Sequence, residues 1–205
     1  MAVASAPPTV LKTGIDPNTL KRWTLEEYHH LIELGILQPS DRLELINGHI
    51  CTHMPQNPPH ADAIDNALDY LIRHLPRNAK VRSQSPIALE PNSEPEPDIA
   101  IVARIEGGYR DRHPNPDDIW LIIEIADSTL NSDLTIKANL YAHHGIREYW
   151  VVDVSDRHIW IHRNPSEDGY QDIIELEQPA AVQAIAPELN GIELDLRAFF
   201  SGSVS

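Results

Sequence analysis

The sequence holds one cysteine, Cys51, among its 205 residues, so no internal disulfide can form and the fold must rest on its core. It also lacks any apolar run near the roughly 20 residues that cross a bilayer. The longest such run, Ile119 to Ala126, is short and carries Glu124 inside it. The first residues, Met1 to Thr13, lack the basic-then-apolar order of a secretory signal. These absences exclude a membrane role and point to a reducing cytoplasm. Basic residues are scarce, with 16 Lys and Arg against 31 Asp and Glu and a net charge of −15. A nucleic-acid binder usually offers a basic surface that displaces counterions from phosphate, so this balance argues against tight, non-specific DNA binding. It leaves room for a small acidic site that recruits phosphate through bound cations. There is no Gly-rich phosphate loop, which disfavours a nucleotide cofactor, no His/Cys spacing of a structural zinc site, and no internal repeat.

What is present has the composition of a globular protein, 41% hydrophobic and 23% charged, with apolar residues in short clusters separated by Pro, Gly, Asn and Asp. Residues 1–20 are Ala-, Pro- and Thr-rich without periodicity and read as a flexible N-terminal arm. Residues 21–205 read as one domain. Thr24-Leu25-Glu26-Glu27 matches a capping box, and Leu25, Tyr28, Leu31 and Ile32 follow at helical spacing until Gly35. Leu43 to Ile50 reads as two strands about an Asn47-Gly48 turn, with Glu44 on the first. Ala61, Ile64, Ala67, Leu68, Leu71, Ile72 and Leu75 mark a helix that stops at Pro76, with His60 at its entrance. Strands are expected at Val81 to Leu89, Ile99 to Val102, Ile119 to Ala126, Glu148 to Val154 and His158 to His162, and a helix from about Asp133 to His144. The tail suggests one more strand pair, Ile173 to Leu176 with Ile192 to Leu196. The fold class is therefore α/β (α+β), a mixed central sheet flanked by helices.

Three residues look chemically expensive. Both faces of the Ile119 to Ala126 strand are apolar, so it should be a central, doubly covered strand. Glu124 is its only charge, and burying that carboxylate requires a cation, a metal or a hydrogen-bond network beside it. The bland alternative is a structural buried salt bridge or a protonated Glu near the strand's end. Asp98 follows Pro97, which forces an extended chain and presents a carboxylate at the start of a strand; Glu94 and Glu96 before it are expected to be solvated. Lys137 sits on the helix after the Glu124 strand. By default it is an exposed partner of Asp133 four residues earlier, but facing inward it would reach Glu124, and Tyr141 would share that face. Two carboxylates from adjacent strands can hold magnesium, while an ammonium steadies the attacking water or the developing phosphorane charge. That is phosphodiester hydrolysis.

The order of Glu44, Pro97-Asp98, an apolar strand, Glu124 and a helical Lys137 resembles the PD-(D/E)xK nuclease superfamily and, within it, the Uma2 branch of restriction-endonuclease-like proteins. The segments RLELINGHI, EPDIAIV, IWLIIEIADST, DLTIKANLYAHHGIREYWVVDV and APELNGIELDL carry the likeness over roughly residues 22–200. The resemblance implies a restriction-endonuclease-like fold, Mg2+ or Mn2+ held by Asp98 and Glu124, and Lys137 as the catalytic lysine. It also singles out Glu44 and His60 as catalytic candidates and Gln84, with Tyr141, as substrate-binding or orienting. Glu124 is followed by Ile125-Ala126, so the lysine that the superfamily places two residues on is absent; the Uma2 branch draws it from the following helix, which fits Lys137. The implied substrate is DNA, and two-fold symmetry suited to cutting two strands implies a homodimer. A catalytically silent binding or assembly module, which the acidic charge would suit, and a hydrolase of small phosphoesters are the alternatives.

Overall fold

The computed structural model describes residues 19–53, 56–189 and 191–200. Apart from Thr19 and Leu20, the expected arm over residues 1–20 lies outside them. The first helix, α1 (Leu25–Glu33), begins at the expected capping box: the Thr24 hydroxyl accepts from the Glu27 N–H, and the Glu27 carboxylate accepts from the Thr24 N–H. Strands β1 (Leu43–Ile46) and β2 (His49–Thr52) form a hairpin whose two turn residues, Asn47 and Gly48, have φ of 49° and 76°. Both angles are those of the turn that matches strand twist. Gly48 has a second constraint, because a Cβ there would lie 3.1 Å from the Trp23 carbonyl oxygen. Helix α2 (Pro58–His74) starts behind an Asn57 cap with Pro58 in its first turn, earlier than the apolar spacing suggests, and ends ahead of Pro76.

Six strands make the central sheet: β3 (Ala79–Ser83), β4 (Ile99–Ala103), β5 (Ile119–Ala126), β6 (Glu148–Asp153), β7 (His158–Ser166) and β8 (Gly169–Leu176), side by side in chain order. Every neighbouring pair is antiparallel except β5 and β6. A parallel pair cannot be closed by a tight turn and needs a crossover. Here the crossover is helical: α3 (Leu130–Ser132), a π turn (Asp133–Lys137) and α4 (Ala138–His143), ended by Gly145 at φ 71°.

All eight residues of β5 are buried, as two apolar faces require. Leu121, Ile123 and Ile125 pack with Ile64, Ala67 and Leu71 of α2 and with Leu194, Leu196 and Phe199 of the tail. Ile122 and Ala126 face the other way, onto Ala138, Leu140 and Tyr141 of α4. Burying each large aliphatic side chain contributes about 1.5–3 kcal/mol, and the two-residue period sends Glu124 to the crossover side of the sheet.

Two expectations need correction. The strand foreseen over Val81 to Leu89 stops at Ser83, because Gln84 takes φ of 44° and turns the chain out of the sheet. Ile87 and Leu89 are nonetheless fully buried, so the alternation reported burial rather than strand pairing. In the tail, Ile173 to Leu176 belongs to β8, which folds straight back on β7. The segment expected to pair with it contains β10 (Glu193–Asp195), which pairs with β9 (Ala181–Gln183) instead. The short hairpin closure wins over the longer loop. No helix among the described residues is long and apolar enough to cross a membrane.

Candidate active site

The antiparallel register Ile99↔Ile123 puts Asp98, the residue before β4, opposite Glu124. The Asp98 N–H donates to Glu124 Oε2 at 3.3 Å, and Asp98 Oδ2 accepts from the Ile125 N–H at 2.9 Å. His60, in the first turn of α2, places Nε2 3.1 Å from the same Oδ2. From the crossover, Lys137 Nζ and the Tyr141 hydroxyl both donate to Glu124 Oε1, each at 2.9 Å. Lys137 is therefore not the exposed partner of Asp133 that spacing alone suggests. Its side chain is 14% exposed and pairs first with Glu124, Asp133 Oδ1 lying further off at 3.8 Å.

These groups line one wall of an open cleft of about 1050 Å3, together with Glu44 and Gln84. Tyr141, fully buried, stands behind Glu124. Gln84 is held at the rim by its backbone N–H, which donates to the carbonyls of Pro97 and Asp98. Glu44 arrives from β1, and its Oε2 accepts from the Glu96 N–H at 3.2 Å. His53 Nε2 lies 3.5 Å from both the Glu44 and the Glu96 carboxylates. Glu94 and Glu96, expected to be solvated, are not: Glu94 is buried against His29 at 2.8 Å and Glu96 is half-buried. The loop before β4 runs inward because Glu94 bridges to Leu45.

The electrostatics follow from burial and from an excess of acids. Glu124 is 2% exposed, and desolvation pushes its pKa up to about 8, helped by the charges of Asp98 and Asp133 and opposed by Lys137. Burial also works against the Asp98 carboxylate, but the His60 ring, Lys137 and the Ile125 N–H outweigh it and hold its pKa below the usual value. The His60 pKa is raised in turn by its hydrogen bond to Asp98. Desolvation disfavours the Lys137 ammonium, yet Glu124, Glu44 and Asp133 overcome that and keep it firmly protonated. Burial raises the pKa of Asp133.

The donor set fits a hard divalent cation. Two carboxylates from paired strands line the same cleft, and burial makes the Glu124 carboxyl hold its proton more firmly than an exposed one would. Among the described residues no group of three or more His, Cys, Asp or Glu is arranged to hold a metal alone. A cation here would complete its shell with water and substrate oxygens, as magnesium does with one or two carboxylates.

The model of the Uma2 family, described as "Putative restriction endonuclease", matches residues 25–197. The chain belongs to the Uma2 family. That span covers every side chain of the cleft named above. The fold is similar to a solved structure of a "putative nuclease" from Anabaena variabilis, with a TM-score of 0.63 and 20% identity over 87% of this chain and 97% of that one. At that identity the likeness shows the fold alone, a six-stranded mixed sheet with helices on it. No curated protein matches the chain.

The residues themselves pointed to Asp98, Glu124, Lys137 and Tyr141, and the resemblance added His60, Glu44 and Gln84; the structure puts all of these but Tyr141 on the cleft, with Tyr141 buried behind Glu124. The sequence reading missed Asp133 as an inward-facing group, along with Glu96 and His53. For Asp133 the signal existed: if Lys137 faces inward, the residue four before it shares that face. For Glu96 and His53 no local pattern pointed inward.

Proposed function

We propose that this Uma2 protein is a divalent-metal-dependent endonuclease that hydrolyses DNA phosphodiester bonds, working as a cytoplasmic homodimer. The observation that carries the reading is the convergence of Lys137 and Tyr141 on one oxygen of Glu124, opposite Asp98, at the wall of an open cleft. A purely structural ion pair would have no reason to leave Asp98 and Glu124 lining an open cleft, where the Glu124 pKa is raised to about 8 and that of Asp98 is held below its usual value.

Asp98 and Glu124 would hold Mg2+ or Mn2+, which when bound would supply Lewis-acid neutralisation of phosphoryl oxygens and a more acidic water. The chain's own groups do the rest. His60 Nε2 and the Ile125 N–H hold Asp98 ionised and oriented. The Tyr141 hydroxyl fixes the Glu124 carboxyl from behind. Lys137 keeps a proton-rich ammonium at the cleft wall, where it orients the water or takes up charge growing on the phosphoryl group. Glu44 reinforces that positive state of Lys137, and Gln84 at the rim is placed to touch substrate.

The test is cleavage of supercoiled plasmid and single-stranded DNA with magnesium or manganese, comparing the intact protein with Asp98→Ala and Lys137→Ala. Nicking by the intact protein, reduced by about 10²–10³ in each variant, is the expected result. A second reading is favoured by the net charge of −15: a nuclease fold retained as a binding or assembly module, with the same residues as an ion network. It gains if the folded intact protein is inert with every metal and Lys137→Ala loses stability instead.

A further inference from the structure

Asp133 is not needed by the chemistry above, yet its carboxylate is only 2% exposed. Burying an ionised carboxylate costs several kcal/mol unless it is paired. Its Oδ2 accepts from the Thr129 hydroxyl at 2.6 Å, its Oδ1 lies 3.8 Å from Lys137 Nζ, and its backbone oxygen accepts from the Tyr149 hydroxyl at 3.0 Å. The helix is deformed at this place. Residues Asp133–Lys137 form a π turn in which the Ala138 N–H reaches back five residues to the Asp133 carbonyl, a departure that clusters at functional sites. The turn gives its inward positions to Asp133 and Lys137 and leaves Ile136 between them 52% exposed. That is the reverse of what apolar burial favours.

We infer that Asp133 is a positioning residue, a second anchor that holds the Lys137 ammonium at the cleft wall when Glu124 is engaged elsewhere. The inference rests on the nuclease reading. Glu124 has one set of lone pairs to divide between Lys137, Tyr141, the Asp98 N–H and whatever cation or phosphoryl charge enters the cleft. Any such charge weakens its grip on Lys137. An ammonium has three protons, and besides Glu124 the carboxylate within 4 Å of Nζ among the described residues is Asp133, tied by Thr129, while Glu44 acts from further off. With Glu124 alone, Lys137 would be free to swing out just when it is required.

The experiment uses the full chain with Asp133→Asn, Asp133→Glu and Thr129→Val. The first readout is acylation of Lys137 by an amine-specific ester, followed by mass spectrometry with Lys80 as internal reference, with and without Mg2+. The second is kcat and KM for DNA cleavage. In Asp133→Asn, Lys137 should label several-fold faster relative to Lys80, most clearly with Mg2+, and kcat should fall by about 10–100-fold with KM nearly unchanged. Asp133→Glu should restore part of both. Thr129→Val should shift both the same way by less, and it carries the test if Asp133→Asn does not fold. Unchanged Lys137 labelling and kcat in Asp133→Asn, or in Thr129→Val when that variant carries the test, would overturn the inference. If the intact protein cuts no DNA while the labelling ratio still rises, the nuclease reading falls and the anchor stands.

Discussion

Two glutamates are buried in adjacent strands of the same sheet, and they are treated in opposite ways. Glu148, at the start of β6, is fully enclosed and fully satisfied. Its Oε1 accepts from Arg163 Nε and Nη2 at 2.9 and 2.7 Å and from Trp150 Nε1 at 3.0 Å, and its Oε2 accepts from the Ile185 N–H at 2.9 Å. Glu124, on β5, has a flexible lysine, a tyrosine hydroxyl and one long backbone contact, and it borders the cleft. A forked guanidinium and fixed amides leave nothing over, whereas a point-charge ammonium leaves coordination to spare. Burial of a carboxylate is therefore a poor marker of function by itself. The informative quantity is what remains uncompensated and whether a ligand can reach it.

Substitution can break or sharpen this contrast. Glu148→Gln leaves the Arg163 guanidinium without its counter-ion and should cost about 3–5 kcal/mol in urea unfolding, with the metal dependence of any cleavage unchanged in the fraction that folds. An equal loss from Glu124→Gln would erase the distinction. The expected loss for Glu124→Gln is smaller, and its signature is pH. The Glu124 pKa rises from 4.5 to about 8 on folding, so between those values the folded state binds more protons than the unfolded one. Titration of Glu124 takes stability from the metal-free intact protein as pH climbs through that window. The loss of unfolding midpoint between pH ~5 and pH ~9 should therefore be larger in the intact protein than in Glu124→Gln. Mg2+ affinity should rise over the same interval, since a protonated carboxyl is a poor ligand. The smallest effect sets the baseline: Asp69→Ala breaks a solvent-exposed helical pair with Arg73 and should change stability by no more than about 0.5 kcal/mol.

Local chemistry made much of this legible in advance. The capping box at Thr24, the Asn47-Gly48 turn, the doubly apolar β5 and the inward reach from the crossover helix all follow from period and turn chemistry acting over a few residues. What escaped was set by distant partners. Glu94 looked solvated because nothing in Glu94-Pro95-Glu96 announces His29, 65 positions away. Ile87 and Leu89 alternate like a strand because they are buried, but their backbone path is decided at Gln84. Asp133 read by default as half of a common surface pair, its inward place following only once Lys137 is turned inward, and a π turn leaves no mark in apolar spacing. The cleft residues with chemistry of their own stood out, while those that serve other residues did not.

The single parallel pairing in the sheet has one more consequence. Glu44, His60, Asp98, Glu124, Lys137 and Tyr141 all precede β6 in the chain, yet the crossover that carries the last two is pinned only when β6 docks beside β5. A chain ending at Tyr141 would hold every one of these side chains but lack β6, the strand beside β5 that the crossover also packs on. The cleft wall is complete only with the strand that follows its last side chain, which makes the site a property of the finished sheet rather than of the segment that encodes it.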